Sequence, residues 1–161
     1  MVFRTLARLT GEREGLEDMA QEVFLRLFRA LPHFRGDAQV STFLYRIIVN
    51  VVNDEFRGRQ RARMTSPLND EAARGLAHSG AGPAVLAERA QMQKAVEEAL
   101  LGLAPADRTI LTLHYQEGRS YEEIAAILDS PMGTVKTHLY RARERLKNMM
   151  LKLYSEEEWS R

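Results

Sequence analysis

From Val135 onward the apolar residues Leu139, Ala142, Leu146, Met149 and Leu153 recur at alternating spacings of four and three, with charged residues between them. That period predicts one long amphipathic helix. Just upstream, Ile124, Ala125 and Leu128 give a shorter helix one apolar face. Ser120 and Glu123 form a capping box at its start, where hydroxyl and carboxylate each take an orphan amide donor. Asp129, Ser130, Pro131 and Gly133 break the pattern between the two. Ser130 suits an N-cap, Pro131 suits the first helical position, and Gly133 leaves room for close backbone approach. Two short helical starts around a tight turn predict a helix-turn-helix.

The rest of the chain reads as helical too. Leu16 to Leu31 is strongly amphipathic and ends at Pro32; the loop from Phe34 to Val40 follows, and Ser41 can cap a helix running to about Arg57. A further helix is expected from about Val85 to Leu101, and Pro105 opens one that ends near Gly118. No alternating strand pattern or hairpin signal interrupts these, so the predicted class is all-α. Met64 to Ala84 collects Pro, Gly and Ser with few large apolar residues, which marks a flexible linker. The expected organisation is therefore two small helical domains, 1–63 and 85–154, joined by 64–84, with a frayed tail over 155–161.

Composition narrows the class. The chain has 161 residues, 45% apolar and 28% charged, which describes a globular protein rather than a disordered one. There is no cysteine, which excludes disulfides and thiolate metal sites. No apolar run approaches the roughly 20 residues needed to cross a bilayer, and no signal-peptide pattern opens the chain; a cytoplasmic protein is expected. The histidines, His33, His78, His114 and His138, are scattered without ligand spacing. The acids Glu12, Glu14, Glu17, Asp18 and Glu22 lack a paired histidine or phosphate loop. Neither an enzyme, a metal nor a cofactor is expected.

Charge is placed locally although the net charge is only +1. Gly133 to Lys152 holds six Lys or Arg against one acid, and Arg57 to Arg63 holds four arginines in seven positions. Two basic clusters far apart in sequence suggest two contacts with a polyanion. On the second helix of the helix-turn-helix, Thr134, Lys136, Thr137, Tyr140 and Arg141 lie away from the apolar stripe near the helix start, the part of a recognition helix that enters the major groove. On the helix after Ser41, Arg46, Asn50, Asn53 and Arg57 make one polar stripe on an otherwise apolar helix, suited to base edges or phosphates. The less favoured alternative for each is a solvated face. Phe34, Phe43 and Tyr45 flank the preceding loop and could stack an unpaired base, or serve as core.

Taken together, Glu17-Asp18, Gln21-Glu22, Val23-Phe24 and Phe28, then Phe34-Arg35-Gly36-Asp37, then Thr42 to Ile47 with Asn50 and Asp54, resemble region 2 of the extracytoplasmic-function (group 4, sigma-E-like) sigma factors of bacterial RNA polymerase. Leu103-Ala104-Pro105 through Tyr115, and Ser120 through Arg145, resemble region 4 of the same family. The resemblance implies a factor that binds core RNA polymerase through Asp18, Gln21, Glu22 and Leu25. It implies recognition and melting of the minus-10 promoter element by Tyr45, Arg46, Asn50, Asn53 and Arg57, with a flipped base held near the Gly36 to Ser41 loop. It implies reading of the minus-35 element as duplex by Thr134, Lys136, Thr137, Tyr140 and Arg141, with Arg59, Arg61, Arg63 and Arg143 on phosphates. An anti-sigma partner is also implied. Two departures stand out: family members carry about one more helix ahead of the position of Met1, so the first helix is expected to retain only Val2 to Leu9, and Phe43 stands where Trp is common. A regulator resembling the LuxR-type output domain is the alternative. It shares the Thr134-Val135-Lys136-Thr137-His138 pattern but leaves the N-terminal helices unexplained.

Overall fold

The computed structural model describes residues 1–12, 14–36, 39–65 and 85–158, with side chains described from 1 to 62 and 92 to 152 within those ranges. The helices are α1 (Val2–Thr10), α2 (Leu16–Ala30), α3 (Val40–Thr65), α4 (Val85–Leu101), α5 (Pro105–Leu111), α6 (Tyr121–Leu128) and α7 (Met132–Glu158). A 3-10 turn, Leu31–His33, follows α2, and a π-helical turn, Thr112–Gln116, follows α5. No strand occurs among the described residues. The predicted linker lies almost wholly in 66–84, outside the described residues.

Helix α1 forms because Val2, Leu6 and Leu9 fall on one face, and all three are buried. Gly11 ends it in the left-handed region, φ 75°, with its N–H donating to the Ala7 carbonyl at 2.8 Å. A β-carbon at Gly11 would run into the end of the Leu101 side chain, so a substitution there must displace that leucine as well as strain the backbone. The buried faces of α1, α2 and α3 meet through Leu6, Leu9, Val23, Ile48 and Val52. In the C-terminal half, Ile110, Leu113, Ile124, Ile127, Val135 and Leu139 close a second group of packed side chains, continuous with the first.

Arg108 ties the two halves. Its buried guanidinium donates to the carbonyls of Leu9 and Thr10 at the end of α1, and to those of Leu100, Leu101 and Leu103 at the end of α4, at 2.7–3.3 Å. Two helix C-termini with unpaired carbonyls supply the negative end of their dipoles, which compensates the buried cation in place of a carboxylate. Burial nevertheless holds the guanidinium pKa below its ordinary value.

Several sequence expectations need adjustment. Helix α3 starts at Val40 rather than after Ser41, whose hydroxyl faces Gln39 Oε1 at 3.4 Å, and it runs past Arg57 to Thr65. Ser130 is not the N-cap of α7: its hydroxyl donates backwards to the Leu128 carbonyl, while the Pro131 carbonyl accepts from Thr134 and Val135. The backbone of the expected frayed tail is helical through Glu158. The bounds of α4 and the Ser120 cap of α6 agree with expectation.

Candidate nucleic-acid interface

The helix-turn-helix is built from local chemistry. Glu123 N–H donates to Ser120 Oγ at 3.2 Å and Ser120 N–H donates to Glu123 Oε2 at 2.8 Å, completing the capping box. Asp129 ends α6 in the left-handed region, φ 51°, a conformation that Asp and Asn tolerate better than other non-glycine residues. The Ser130 amide then reaches back to the Ala125 carbonyl at 3.0 Å. This sharp reversal sends α7 across α6.

Val135, Leu139 and Ala142 of α7 are buried, so the opposite face is turned outward, and Thr134, Lys136, Thr137, Tyr140 and Arg141 are all exposed on it. Tyr140 is 60% exposed, a large aromatic with no core role. Thr137 Oγ1 donates to the Gly133 carbonyl at 2.9 Å, which leaves its methyl and its oxygen lone pairs for a partner. Gly133, Thr134, Thr137, His138, Arg141 and Arg145 line a concavity of about 470 Å³. Arg143 is exposed beside Tyr115, whose hydroxyl raises its guanidinium pKa.

On α3 the expected stripe is present: Arg46, Asn50 and Arg57 are exposed and Asn53 is half-buried. Arg46 pairs with Asp129 at 3.2 Å, across to the turn of the helix-turn-helix, and Arg57 faces Asp54 at 3.5 Å. Phe34 and Phe43 pack on each other, ring centroids 5.1 Å apart, both half-buried. Asp37 and Ala38 of the adjoining loop, and the Arg63 side chain, lie outside the described residues; Arg61 is exposed.

Two expected contacts are corrected. Tyr45 is 3% exposed: it packs in the core, its hydroxyl donates to Glu117 Oε2 at 2.7 Å, and the Arg119 guanidinium lies 5.2 Å from its ring centre. In this arrangement it cannot stack a base. Arg59 is not an open phosphate arm, because Glu12 and Glu55 both accept from it, the latter at 2.9 Å. Both carboxylates raise its pKa.

Glu117 was invisible in the sequence. Its side chain is 1% exposed, and Arg8 reaches it at 2.7 Å and Arg4 at 3.6 Å. Burial pulls its pKa upward, but the Tyr45 hydroxyl and the Arg8 and Arg4 charges outweigh this and hold it below the usual carboxylate value. Asp107 and Arg108 were missed likewise; an acid in the first turn after Pro105 was the available hint. On α2, Gln21 and Leu25 line a shallow apolar groove of about 610 Å³ with Phe3, Phe24, Phe28 and Leu31, while Glu22 faces Arg26 at 2.7 Å and Asp18 is exposed. Phe28 is 77% exposed, an unusual state for a phenylalanine without a partner. Among the described residues no cluster could hold a metal ion, and no helix is long and apolar enough to cross a membrane.

Residues 1–62 match the family model for sigma-70 region 2, and residues 93–146 match that for sigma-70 region 4. The chain is 33% identical to the RNA polymerase sigma-H factor of Pseudomonas aeruginosa over 160 residues, spanning 96% of this chain and 83% of the relative. It is 36% identical to the ECF RNA polymerase sigma-E factor of Escherichia coli over 136 residues, 81% of this chain and 71% of that one. In fold it is similar to the sigma factor RpoE of Bartonella quintana, solved in complex with the anti-sigma factor NepR, with a TM-score of 0.74 at 23% identity over 92% of this chain and 89% of that one. It is also similar to CnrH, solved with the cytosolic domain of CnrY, with a TM-score of 0.61 at 25% identity over 92% of this chain and 80% of that one. The chain belongs to the extracytoplasmic-function sigma factors. It is thus an RNA polymerase sigma factor of transcription initiation, and the region 2 match accounts for the N-terminal helices that a LuxR-type output domain leaves unexplained.

Proposed function

We propose that this sigma factor delivers core RNA polymerase to its promoters by reading DNA at two places. The outward face of α7, Lys136 to Arg141 with Thr134, takes the minus-35 element as duplex in the major groove. The stripe Arg46, Asn50, Asn53 and Arg57 of α3 takes the minus-10 element, with Arg61, Arg63 and Arg143 on phosphates. Asp18, Gln21, Glu22 and Leu25 dock α2 on the polymerase, where the exposed apolar groove beside them is covered. The chain does no bond chemistry, needs no cofactor and works in the cytoplasm beside the polymerase; unpairing of the DNA is offset by binding the extruded base and its strand.

The observation that carries this reading is the pair of exposed polar and basic faces, on α3 and α7, in segments that match regions 2 and 4 in order. Tyr45 joins the minus-10 surface only once the halves separate, because Glu117 holds it in the compact form. An anti-sigma partner is part of the proposal, supported by the fold shared with RpoE, which was solved bound to one. The test is run-off transcription with purified core polymerase and this chain on a library of genomic fragments. Promoter-specific transcripts that depend on the chain are expected; none from any fragment would overturn the proposal.

A further inference from the structure

Asp107 sits in the first turn of α5 with its side chain only 4% exposed, yet both of its main partners belong to the outward half of α7. Arg145 Nη1 donates to Oδ1 at 2.8 Å and to Oδ2 at 2.7 Å, and His138 Nε2 donates to Oδ1 at 2.9 Å. His138 and Arg145 are seven residues apart, two helical turns, so they share one face. Both line the concavity that also holds Thr134, Thr137 and Arg141. Neither the basic cluster nor the helix-turn-helix pattern distinguished these two residues, and neither singled out Asp107.

We infer that Asp107 is a specificity-determining positioning residue for duplex recognition by α7: it fixes His138 and Arg145 in place and cancels one positive charge beside the base-reading face. This rests on the reading of α7 as the minus-35 reader. With Nε2 donating to the carboxylate, the imidazole has Nδ1 as its only other polar ring atom, and its side chain lines the same concavity as Thr134 and Thr137. With Nη1 committed, Arg145 keeps Nε and Nη2 for a phosphate, in an orientation set by the protein and not by the DNA. A long cation that is free to swing follows any phosphate and adds affinity for every sequence. A cation tied to a buried carboxylate reaches its phosphate only when the helix is seated in the correct register. Charge is given up and discrimination is gained.

The sign of the effect separates this role from simple bracing of α5 against α7. The experiment uses holoenzyme assembled from core polymerase and the full chain, bound to duplexes that carry either a selected minus-35 element or a scrambled one, across a series of KCl concentrations. Asp107→Asn keeps the shape and removes the charge. It is expected to bind scrambled duplex as tightly as the unaltered chain or more tightly. The salt slope should steepen by about 0.9, one further phosphate contact, and preference for the selected element should fall about tenfold, one good contact's worth of discrimination. Equal loss on both duplexes, or unchanged preference, would overturn the inference. If Asp107→Asn does not fold, His138→Gln and Arg145→Gln carry the test: each should lower preference, and the double variant should lose no more than the larger single loss. Additive losses or no loss would overturn it. An unaltered holoenzyme without any minus-35 preference would instead overturn the reading of α7 itself.

Discussion

The Tyr45 hydroxyl donates to the buried carboxylate of Glu117 at 2.7 Å across 72 residues of chain, joining α3 to the segment after α5. Arg8 from α1 completes the carboxylate's coordination, and Arg119 stacks on the tyrosine ring. Helix α3 is thereby held against the helix-turn-helix half by a polar latch. A hydrogen bond to a charged group is worth about 1.5–3 kcal/mol when its loss leaves the charge buried. Tyr45→Phe should therefore destabilise the compact form by about 2 kcal/mol while leaving both halves helical. Chemical denaturation followed by circular dichroism, with small-angle scattering for the compact dimension, measures both.

The latch should respond to pH in a defined direction. Glu117 is held below its ordinary 4.5 in the folded chain, so its contribution is complete above 4.5 and is lost as pH falls through the lower folded value. Tyr45 is shifted the other way, pushed up to about 12 from 10.0 by burial and by Glu117, so its contribution is complete below 10.0 and is lost as pH rises through about 12. Scattering across the pH range should show the halves most firmly joined between those limits. Tyr45→Phe should abolish the alkaline arm and, because its hydroxyl helps to hold Glu117 low, weaken the acid arm as well.

Arg108→Ala removes the cation that serves five carbonyls at two helix ends. The expected loss is about 3 kcal/mol or more, since buried carbonyls left unpaired each cost on the order of 1 kcal/mol. Arg108→Lys should recover only part of it, because an ammonium cannot fork toward both helix ends. Thermal unfolding compares the three chains.

Gly11→Ala meets two obstacles, the left-handed backbone at φ 75° and the end of the Leu101 side chain. The backbone part alone costs about 1–2 kcal/mol. In the Gly11→Ala, Leu101→Ala double variant the steric part should be relieved and the backbone part should remain, which denaturation of the two singles and the double resolves.

The sequence revealed what local chemistry decides and hid what distance decides. The Ser120–Glu123 box, the limits of α4 and the apolar stripe of α7 were legible because each depends on residues within a few turns of one another. The exposed face of α7 followed from that stripe by subtraction. Ser130 and Ser41 looked like caps, but a hydroxyl can find an acceptor in its own turn, and each does so. Arg59 looked like a phosphate arm because its neighbours in sequence are arginines; its partner Glu12 is 47 residues away. Tyr45 could be read as a stacking aromatic because it flanks the loop before α3; its partner Glu117 is 72 residues away. The roles of Asp107, Arg108 and Glu117 arise where segments distant in sequence meet, so period and propensity offered no more than the acid in the first turn after Pro105.

In the proposed function one chain reads a promoter at two places and holds the downstream one open. Footprinting of the holoenzyme on a promoter selected from genomic fragments, with permanganate to mark unpaired thymines, tests it most directly. Two protected regions are expected, with reactive thymines only in the downstream one. Lys136→Ala with Arg141→Ala should remove the upstream protection first, and Asn50→Ala with Asn53→Ala should remove the reactivity. A single protected duplex region with no reactive thymine, unchanged whether or not polymerase is added, would contradict it.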